Sequence, residues 1–369
     1  MQKKIHIVSF NVPYPADYGG VIDVFCRIKA LHALGVEVVL HAFQYGRKES
    51  EELRKYCSQV YYYRRKTGIA SALSAKPYIV KSRENEELAK RLMEDKAPVL
   101  LEGLHCCSML ERLHDRKVFV RAHNVEHDYY TRLAESESNA LRRLYFKSEA
   151  RKLRQYESIL RKASAVLAVT QADAEHFESI GCNKVVLMPS SHLDDEVVAK
   201  MGRGDYVLYH GDLSVSENIQ AVDYLVEKIM PYAPYRFVVA GRNPSEEMRK
   251  KLSKLQNVSV VANPDDATMR RLVANAQVLF LVTDFATGLK LKLLNSLYAG
   301  RHCLVNGNMV AGTRLGELCT VADTAERQLD SLDSLMDKPF TESDLKYRSN
   351  MMGALYSNEA NAAVLARML

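Results

Sequence analysis

The stretch VLFLVTDFATGLKLKLLNSLYAGRHCLVN, residues 278–306, decides the fold class of this chain. Its apolar run Val278–Val282 predicts a buried strand, and the polar turn that follows ends at Gly288. Leucines at helical spacing come next, and Gly300 ends this helix before a short strand at Cys303–Val305. The order strand, helix, strand is typical of a parallel sheet that is covered by helices.

Two lysines, Lys290 and Lys292, fall in the predicted first turn of this helix. A helix N-terminus carries partial positive charge and free N–H groups, so cations are unfavourable there unless an anion compensates them. A strand that leads into such an end is a common setting for phosphate. On the predicted helix, Gly288, Lys292 and Asn295 lie near one face, so Asn295 can point towards the same ligand. We therefore predict a phosphate site here.

Length and composition indicate a two-domain soluble protein. The 369 residues suggest two domains, and the hydrophobic share of 47% is ample for two cores. No apolar run approaches the roughly 20 residues that span a bilayer. The opening MQKKIHIVSF has neither the apolar core nor the cleavage site of a signal peptide. We therefore expect a cytoplasmic protein.

The seven cysteines show no disulfide framework, so we expect reduced thiols that are mostly packed inside. A metal role for His105, Cys106 and Cys107 is the less favoured reading, because structural zinc sites normally draw ligands from two separated clusters. The chain also has no DxD pair, HExxH or CxxC pair. We therefore predict no metal ligands and no cofactor.

The formal charge of +6 is small for this length, but residues 142–162 are rich in lysine and arginine. Such a helix could lie on an anionic membrane or nucleic acid. The alternative is a solvated helix face with ion pairs at Glu149–Lys152 and Glu157–Arg161. We favour the solvated face, keep a peripheral contact with the inner face of a membrane open, and predict no nucleic-acid partner.

Apolar strands alternate with helices along the whole chain, and the rhythm breaks at the polar segment after Pro189. We therefore predict an N-terminal domain at residues 1–195 and a C-terminal domain at residues 196–349, each Rossmann-like. A helix at about 350–369 is a candidate to pack back on the first domain. Ligands of such sheets bind beyond the carboxyl ends of the strands, so two facing domains would share one cleft.

Two loops of the N-terminal half follow predicted strands. The first contains Gly19 and Gly20, whose backbone can approach a ligand closely, although a structural turn is equally consistent with the pair. The second, residues 121–130, carries five polar side chains in one turn. His123 is its best general acid or polar contact, and the alternative is a helix cap with a histidine satisfied in the core.

Loops of the C-terminal half also follow predicted strands. Gly211 lies in the loop His210–Asn218, and Arg242 lies before Ser245, which is a candidate N-cap. Arg242 could contact a phosphate or a nucleotide base. These loops predict ligand contacts in addition to those of the lysines.

In this order, the segments resemble a GT-B glycosyltransferase of the large retaining family 4. The resemblance rests on the opening strand, Gly-Gly loop and helix, on RAHNVEHDYYTRLA, YESILRKASAVLAVTQAD, YHGDLSVSENIQAVDYLVEKIMP and FVVAGRNPS, and above all on TGLKLKLLNSLYAGRHCLV. It implies two Rossmann-like domains that face a cleft. It also implies a nucleotide sugar on the C-terminal domain, an acceptor on the N-terminal domain and no essential metal.

The resemblance also implies roles for individual residues. Gly19 and Gly20 would approach the donor, and His123 would lie near the transferred sugar. Lys290 and Lys292, with the N–H groups of Gly288 and Leu289, would stabilise the diphosphate leaving group. Gly211 and Arg242 would lie near the donor nucleotide.

Four positions depart from the family pattern. Thr287 and Asn295 stand where two glutamates are usual, and Asp212 and Glu217 stand where many relatives carry Arg and Lys. Threonine can still hydrogen-bond a sugar, whereas asparagine replaces a bidentate carboxylate at the ribose with one acceptor and two donors. The donor contacts at these positions are therefore expected to differ from those of the family.

The favoured function is transfer of a sugar from a nucleotide-diphosphate sugar to a glycan or lipid-linked acceptor, in surface-polysaccharide biosynthesis. The four departures keep a second hypothesis open, a catalytically degenerate protein that serves as a binding or scaffold subunit. A sugar-nucleotide epimerase is disfavoured, because no acid–base carboxylate pair stands out.

Overall fold

The computed structural model describes residues 3–68, 71, 73–286 and 288–369, and the chain divides into two compact units. The N-terminal unit comprises Met1–Leu193 together with Tyr356–Leu369, and the C-terminal unit is Asp194–Leu355. The division lies two residues before the predicted one. The chain thus leaves the N-terminal unit once and returns to it for its last helix.

The N-terminal unit contains a seven-stranded, all-parallel sheet with the spatial order β3-β2-β1-β4-β5-β6-β7. Its strands are β1 Lys4–Ser9, β2 Glu37–Gln44, β3 Gln59–Arg64, β4 Val99–Glu102, β5 Val118–Ala122, β6 Ala165–Ala168 and β7 Val185–Leu187. The order reverses between β1 and β4. The carboxyl ends of these two strands therefore flank a topological switch point, where sheets of this type bind ligands.

Helices connect these strands. They are Gly19–Ala33, Tyr78–Lys81, Glu86–Leu92, Glu126–Ser136, Ala140–Tyr156, Gln171–Ser179 and Asn358–Met368, with 3₁₀ turns at Glu51–Lys55, Leu104–Met109 and Glu157–Lys162. The helix Asn358–Met368 packs against Gly19–Ala33. Its Ala362 and Leu365 are buried, because the return of the chain covers one side of the N-terminal unit.

The C-terminal unit repeats the plan with a six-stranded parallel sheet in the order β10-β9-β8-β11-β12-β13. Its strands are β8 Val207–Asp212, β9 Phe237–Arg242, β10 Val258–Ala262, β11 Val278–Leu281, β12 His302–Val305 and β13 Thr320–Val321. Here the order reverses between β8 and β11. The carboxyl ends of these two strands, Asp212 of β8 and Leu281 of β11, therefore flank the second switch point.

The C-terminal sheet is covered by helices in the same way. They are Ser216–Lys228, Glu246–Leu252, Asp266–Asn275, Leu291–Ala299, Gly307–Val310, Ala325–Asp337 and Glu342–Tyr356, with 3₁₀ turns at Met230–Tyr232 and Leu315–Leu318. All four residues of β11 are buried, as the apolar run predicts. Among the described residues, no helix is both long enough and apolar enough to cross a bilayer.

Several local predictions differ from the structure. The basic segment 142–162, predicted as one helix, is divided between the helix Ala140–Tyr156 and the 3₁₀ turn Glu157–Lys162. Glu149 pairs with Lys152 as predicted, at 2.8 Å. The predicted pairing of Glu157 with Arg161 is wrong, because the Glu157 carboxylate is buried and contacts His176 at 2.8 Å.

Candidate active site

The carboxyl ends of β1, β4 and β5 bring a buried charge network together in the N-terminal unit. Asp23 and Arg27 come from the helix that follows β1, one turn apart, and their side chains meet at 2.5 Å. Arg121 of β5 places Nε 3.0 Å from the other oxygen of Asp23. Arg27 also lies 3.5 Å from Glu102, the last residue of β4. The network therefore joins three neighbouring elements at the switch point.

The two arginines decide the ionisation of Asp23. Burial opposes the charged carboxylate, but the guanidinium groups of Arg121 and Arg27 outweigh it and hold the pKa of Asp23 well below its usual range. Asp23 also accepts a hydrogen bond from the backbone N–H of Ser191, at 2.6 Å. The carboxylate is thus charged and fixed at all physiological pH values.

His123, predicted as a catalytic residue, lies directly on this network. Its Nε2 is 2.9 Å from Oε2 of Glu102, and its Nδ1 is 3.4 Å from Oδ2 of Asp23. Both ring nitrogens therefore face internal carboxylates. This geometry matches a histidine held in place by the fold better than a histidine with a free nitrogen for proton transfer.

The predicted loop glycines lie next to His123 through one aromatic ring. Gly19 and Gly20 are the first residues of the helix after β1. A Cβ on Gly20 would lie 2.6 Å from Cζ of Phe10, so only glycine fits here without movement of the ring. Phe10 contacts the His123 ring edge to face, with a centroid distance of 5.4 Å. The structure therefore brings Gly19, Gly20 and His123 to one place.

Asp23, Arg27 and Glu102 were not predicted from the sequence. A signal was present for the first two, since Asp and Arg lie at a spacing of four in the mainly apolar helix VIDVFCRIKAL. Glu102 directly follows the apolar run of β4, which places a carboxylate at the carboxyl end of a strand. Only the sheet order shows that these positions meet.

In the C-terminal unit, Lys290 forms an ion pair at the second switch point. Its Nζ is 3.0 Å from Oε1 of Glu217, which lies in the first turn of the helix after β8. The same oxygen accepts a hydrogen bond from the hydroxyl of Thr283, which follows β11, at 2.5 Å. Burial opposes the charge of Glu217, but Lys290 holds the pKa of its carboxyl below the ordinary value. Glu217 is therefore the internal counter-ion of Lys290.

Lys292 lies beside this pair, deeper in the unit. Its Nζ donates to Oδ1 of Asn218 at 2.7 Å and lies 3.4 Å from the hydroxyl of Tyr209. Burial lowers the pKa of Lys292 to about 8, with Glu217 acting in the opposite direction. The two lysines and one carboxylate leave the cluster with a net positive charge at neutral pH, which suits an anionic ligand.

A buried histidine supports the helix that carries the lysines. His210 of β8 lies with Nε2 2.8 Å from the hydroxyl of Ser296, on the helix Leu291–Ala299. Burial, aided by the charge of Lys292, lowers the pKa of His210 to about 4. The neutral ring thus links strand and helix without adding charge. Sequence analysis missed Ser296, which carries no local signal.

The helix itself begins later than predicted. Its first residue is Leu291, and Lys290 is the N-cap residue. Gly288 has a φ of 68°, in the left-handed region that favours glycine, so Gly288 and Leu289 belong to the turn before the helix. The predicted helical face is therefore wrong for Gly288. Lys292 and Asn295 do lie on the helix, and Asn295 is half-buried.

The other predicted residues of this site lie on the strands. Gly211 packs against Asn218, whose amide Nδ2 would be 3.0 Å from a Cβ at that position. Arg242 ends β9, is exposed and pairs in register with Asp212. Gly211 and Arg242 are thus strand residues, although both were predicted to lie in loops. Thr287 lies outside the described residues.

Comparison with known proteins identifies the C-terminal unit. Residues 204–330 match the model of the glycosyl transferases group 1 family. Over these residues the chain is similar to glycosyltransferases of this family. The match contains the lysine cluster and both strands of its switch point. The predicted resemblance to glycosyltransferases is thereby confirmed.

Solved structures confirm the GT-B fold over the whole chain. Sucrose-phosphate synthase from Thermosynechococcus elongatus superimposes with a TM-score of 0.71 at 14% identity, covering 100% of this chain and 98% of that protein. HepE of Anabaena, solved in complex with UDP and glucose, gives 0.66 at 11% identity, with coverages of 100% and 99%. At such identities the likeness shows the fold.

One relative is similar in sequence across almost the full length. It is an uncharacterized 44.6 kDa protein in the cps region of Klebsiella pneumoniae, 25% identical over 373 residues, which cover 95% of this chain and 92% of the relative. The sequence similarity therefore extends beyond residues 204–330 into the N-terminal unit.

Proposed function

We propose that the protein transfers a sugar from a nucleotide-diphosphate sugar to a glycan or lipid-linked acceptor. The observation that carries this proposal is the pair Lys290 and Lys292 at the switch point of a group 1 domain. The complex of HepE with UDP and glucose supports a nucleotide sugar as the donor class. The cps-region relative supports an acceptor in surface-polysaccharide biosynthesis.

The lysine cluster suggests how the leaving group is stabilised. When the bond to the sugar breaks, negative charge develops on the diphosphate, and fixed cations nearby lower the energy of that transition state. Before binding, Lys290 is paired with Glu217 at 3.0 Å. A phosphate oxygen would take the place of that carboxylate beside Lys290, while Lys292 stays oriented by Asn218. No step in this scheme requires a metal ion.

Nucleotide binding tests the proposal directly. We expect UDP, GDP, ADP or dTDP to raise the melting temperature, and an excess of 100 times the Kd corresponds to about 2.7 kcal/mol. Lys290→Ala with Lys292→Ala should lower the affinity for the nucleotide diphosphate at least about tenfold, because a hydrogen bond to a charged group contributes about 1.5–3 kcal/mol. Lys254→Ala, an exposed lysine of the same unit, is the matched control.

Two results would contradict the proposal. One is the absence of any stabilisation by the four nucleotide diphosphates and their sugar derivatives. The other is a double variant that binds as tightly as the Lys254→Ala control, which would place the diphosphate elsewhere.

A second candidate function is favoured by one observation, the charge of Glu217 beside Lys290. A carboxylate in this position competes with phosphate, as expected of a binding or scaffold subunit that no longer turns over its donor. Release of free nucleotide diphosphate from a nucleotide sugar distinguishes the two functions. If the protein binds the nucleotide sugar but releases no nucleotide diphosphate with all candidate acceptors present, the scaffold is favoured. If the wild type releases nucleotide diphosphate and Glu217→Gln still does so, the enzyme is favoured.

The helix Ala140–Tyr156 suggests a membrane contact. Its first half is exposed and combines Leu141 and Leu144, with exposed fractions of 80% and 66%, with the basic residues Arg142 and Arg143. Apolar side chains among cations suit an anionic bilayer surface. We propose that this segment, residues 142–162 with the adjoining Leu141, brings the protein to a lipid-linked acceptor.

Vesicle flotation tests this contact. Wild-type protein should float with vesicles that contain phosphatidylglycerol at low salt, and Leu141→Ser with Leu144→Ser should float less. Leu187→Ser, at an exposed leucine elsewhere in the same unit, should behave as wild type. Equal flotation of the double variant and this control would remove the helix from the proposal.

A further inference from the structure

A second histidine–carboxylate cluster lies in the N-terminal unit, outside the network of His123. His127 is in the first turn of the helix Glu126–Ser136, Glu157 begins the 3₁₀ turn Glu157–Lys162, and His176 is in the helix Gln171–Ser179. His127 and Glu157 are buried, and His176 is half-buried. The cluster therefore joins three separate segments that follow β5 and β6.

The ligating atoms of the cluster have the spacing of a metal site. Nε2 of His176 lies 2.8 Å from one oxygen of Glu157, and Nδ1 of His127 lies 3.4 Å from the other. One ligand atom from each residue lies within 4.8 Å of the other two. Around a tetrahedral zinc ion, bonds of about 2.0–2.2 Å place donor atoms about 3.3 Å apart. The two nitrogen–oxygen separations of 2.8 and 3.4 Å lie on either side of that donor–donor distance.

One nitrogen of the cluster points into it without a hydrogen bond of good geometry. Nδ1 of His127 is buried from solvent and lies 3.4 Å from the Glu157 carboxylate, a long contact that leaves it without a well-aligned partner among the described residues. Buried polar atoms are normally paired, so such a nitrogen needs an explanation. A metal ion would take up its lone pair.

The opposite nitrogen of the same ring is already oriented. Nε2 of His127 lies 3.3 Å from a carboxylate oxygen of Asp128. Histidines that bind metals characteristically donate their second N–H to a carboxylate, which fixes the tautomer and leaves the other nitrogen free to ligate. In this ring, that tautomer puts the free lone pair on Nδ1, inside the cluster.

We propose that His127, Glu157 and His176 bind a zinc ion. Two imidazoles and one carboxylate are a donor set that zinc accepts, and three protein ligands leave a fourth position for water. The net charge of one carboxylate and a divalent ion is balanced by Asp128. The ion would fix the helix Glu126–Ser136 to two later segments and so hold the turn after His123. This inference does not depend on the proposed transfer reaction.

Metal content of the full, untagged chain tests the proposal. The protein is treated with a chelator, incubated with Zn²⁺, dialysed and analysed by mass spectrometry of the metals. We expect one zinc ion per chain in the wild type and in His114→Gln, an exposed histidine of the same unit. His176→Gln, at the most accessible ligand, should retain less than a tenth of that amount.

A second measurement keeps the proposal testable where a variant fails to fold. Co²⁺ added to the chelator-treated wild type should give the visible absorption of a tetrahedral site, and Zn²⁺ should abolish it. Wild-type protein that retains no zinc and shows no such spectrum overturns the proposal and leaves an ion-paired cluster. Zinc retained equally by His176→Gln also overturns it, since the ion then binds elsewhere.

Discussion

At the scale of single residues, Lys292 shows how burial changes a group that meets an anion. Its ammonium group has exchanged most of its water for Asn218 and Tyr209, and this lowers its pKa to about 8. The side chain is therefore mostly charged at pH 7 and mostly neutral at pH 9. An arginine in the same place would stay charged throughout.

This pKa predicts a pH dependence of nucleotide binding. As the pH rises from 7 to 9 through the pKa of Lys292, the affinity for UDP should fall by up to about tenfold, because an uncharged amine no longer compensates the phosphates. Calorimetric titration at several pH values measures it. Lys292→Arg should abolish the dependence, and an unchanged slope in that variant would contradict the assignment.

The two lysines could be predicted from sequence because their signal is local, namely cations at a helix start. Glu217 was visible in sequence as well, but its role as the counter-ion of Lys290 was not, since the two residues meet only when β8 and β11 are neighbours. The same holds for Asp23 and Glu102. Partners that are distant along the chain become visible only with the order of the strands.

At the scale of elements, β8 and β9 meet at two glycines that pair in register, Gly211 and Gly241. A Cβ on Gly241 would lie 1.9 Å from the carbonyl oxygen of Gly211 on the neighbouring strand. That atom is backbone and cannot rotate away. The pairing between the ends of β8 and β9 therefore depends on a glycine at residue 241.

Gly241→Ala should consequently destabilise the C-terminal unit by at least about 1–3 kcal/mol, the usual cost of overpacking. Gly316→Ala is the matched control, because its Cβ would meet its nearest neighbour, the Val310 side chain, at an ordinary 3.6 Å. We expect the control to stay within about 0.5 kcal/mol of wild type. Urea unfolding followed by circular dichroism measures both, and equal stability of the two variants would refute the prediction.

A line of buried rings crosses β1, β2 and β3. Nδ1 of His6 lies 2.9 Å from Nε2 of His41, and Nδ1 of His41 lies 2.9 Å from the hydroxyl of Tyr63. Burial lowers the pKa of His41 to about 3, and the charge of His6 acts in the same direction. The folded protein therefore keeps His41 neutral where the unfolded chain would protonate it.

The sign of the effect on stability follows from this difference. As the pH is lowered below about 6.5, the unfolded chain binds a proton that folded His41 does not. The free energy of unfolding should therefore fall by up to about 1.4 kcal/mol for each unit that the pH is lowered. Urea unfolding at pH 7, 6 and 5 measures the slope. It should be smaller in His41→Gln than in His32→Gln, an exposed histidine, and equal slopes would rule out His41 as the cause.

The elements themselves were largely predictable, but their ends were not. The predicted strands Val278–Val282 and Cys303–Val305 correspond to β11 and β12, each with one end displaced by one residue. The helix after β11 begins at Leu291, later than its leucine spacing suggests, because the left-handed Gly288 keeps the chain in a turn. Spacing records which side chains are apolar, whereas backbone dihedrals decide where hydrogen bonding starts.

At the scale of the whole molecule, the alternation of strands and helices was enough to predict two parallel-sheet domains. The sheet orders, with reversals at β1/β4 and β8/β11, needed the structure. The return of the last helix to the N-terminal unit was only a candidate from sequence. In the structure, the helix Asn358–Met368 packs on Gly19–Ala33, and Asn358 donates to the carbonyl of His192 at 2.8 Å.

That packing predicts the cost of loosening the helix. Leu365 is fully buried, so Leu365→Ala should destabilise the N-terminal unit by about 2–5 kcal/mol. Arg367→Ala, an exposed neighbour on the same helix, should change stability by no more than about 0.5 kcal/mol. Limited proteolysis should show earlier cleavage of the N-terminal unit in the leucine variant. Cleavage unchanged from the Arg367→Ala control would show that the helix contributes little.

The return of the chain also sets an order of events on the ribosome. Chains fold as they emerge, and the C-terminal unit is one uninterrupted segment, Asp194–Leu355. The N-terminal unit emerges first, yet it gains its covering helix only after residues 358–368 have been synthesised. The nascent N-terminal unit therefore lacks its covering helix, with the apolar side of Gly19–Ala33 uncovered, until the C-terminal unit has been translated.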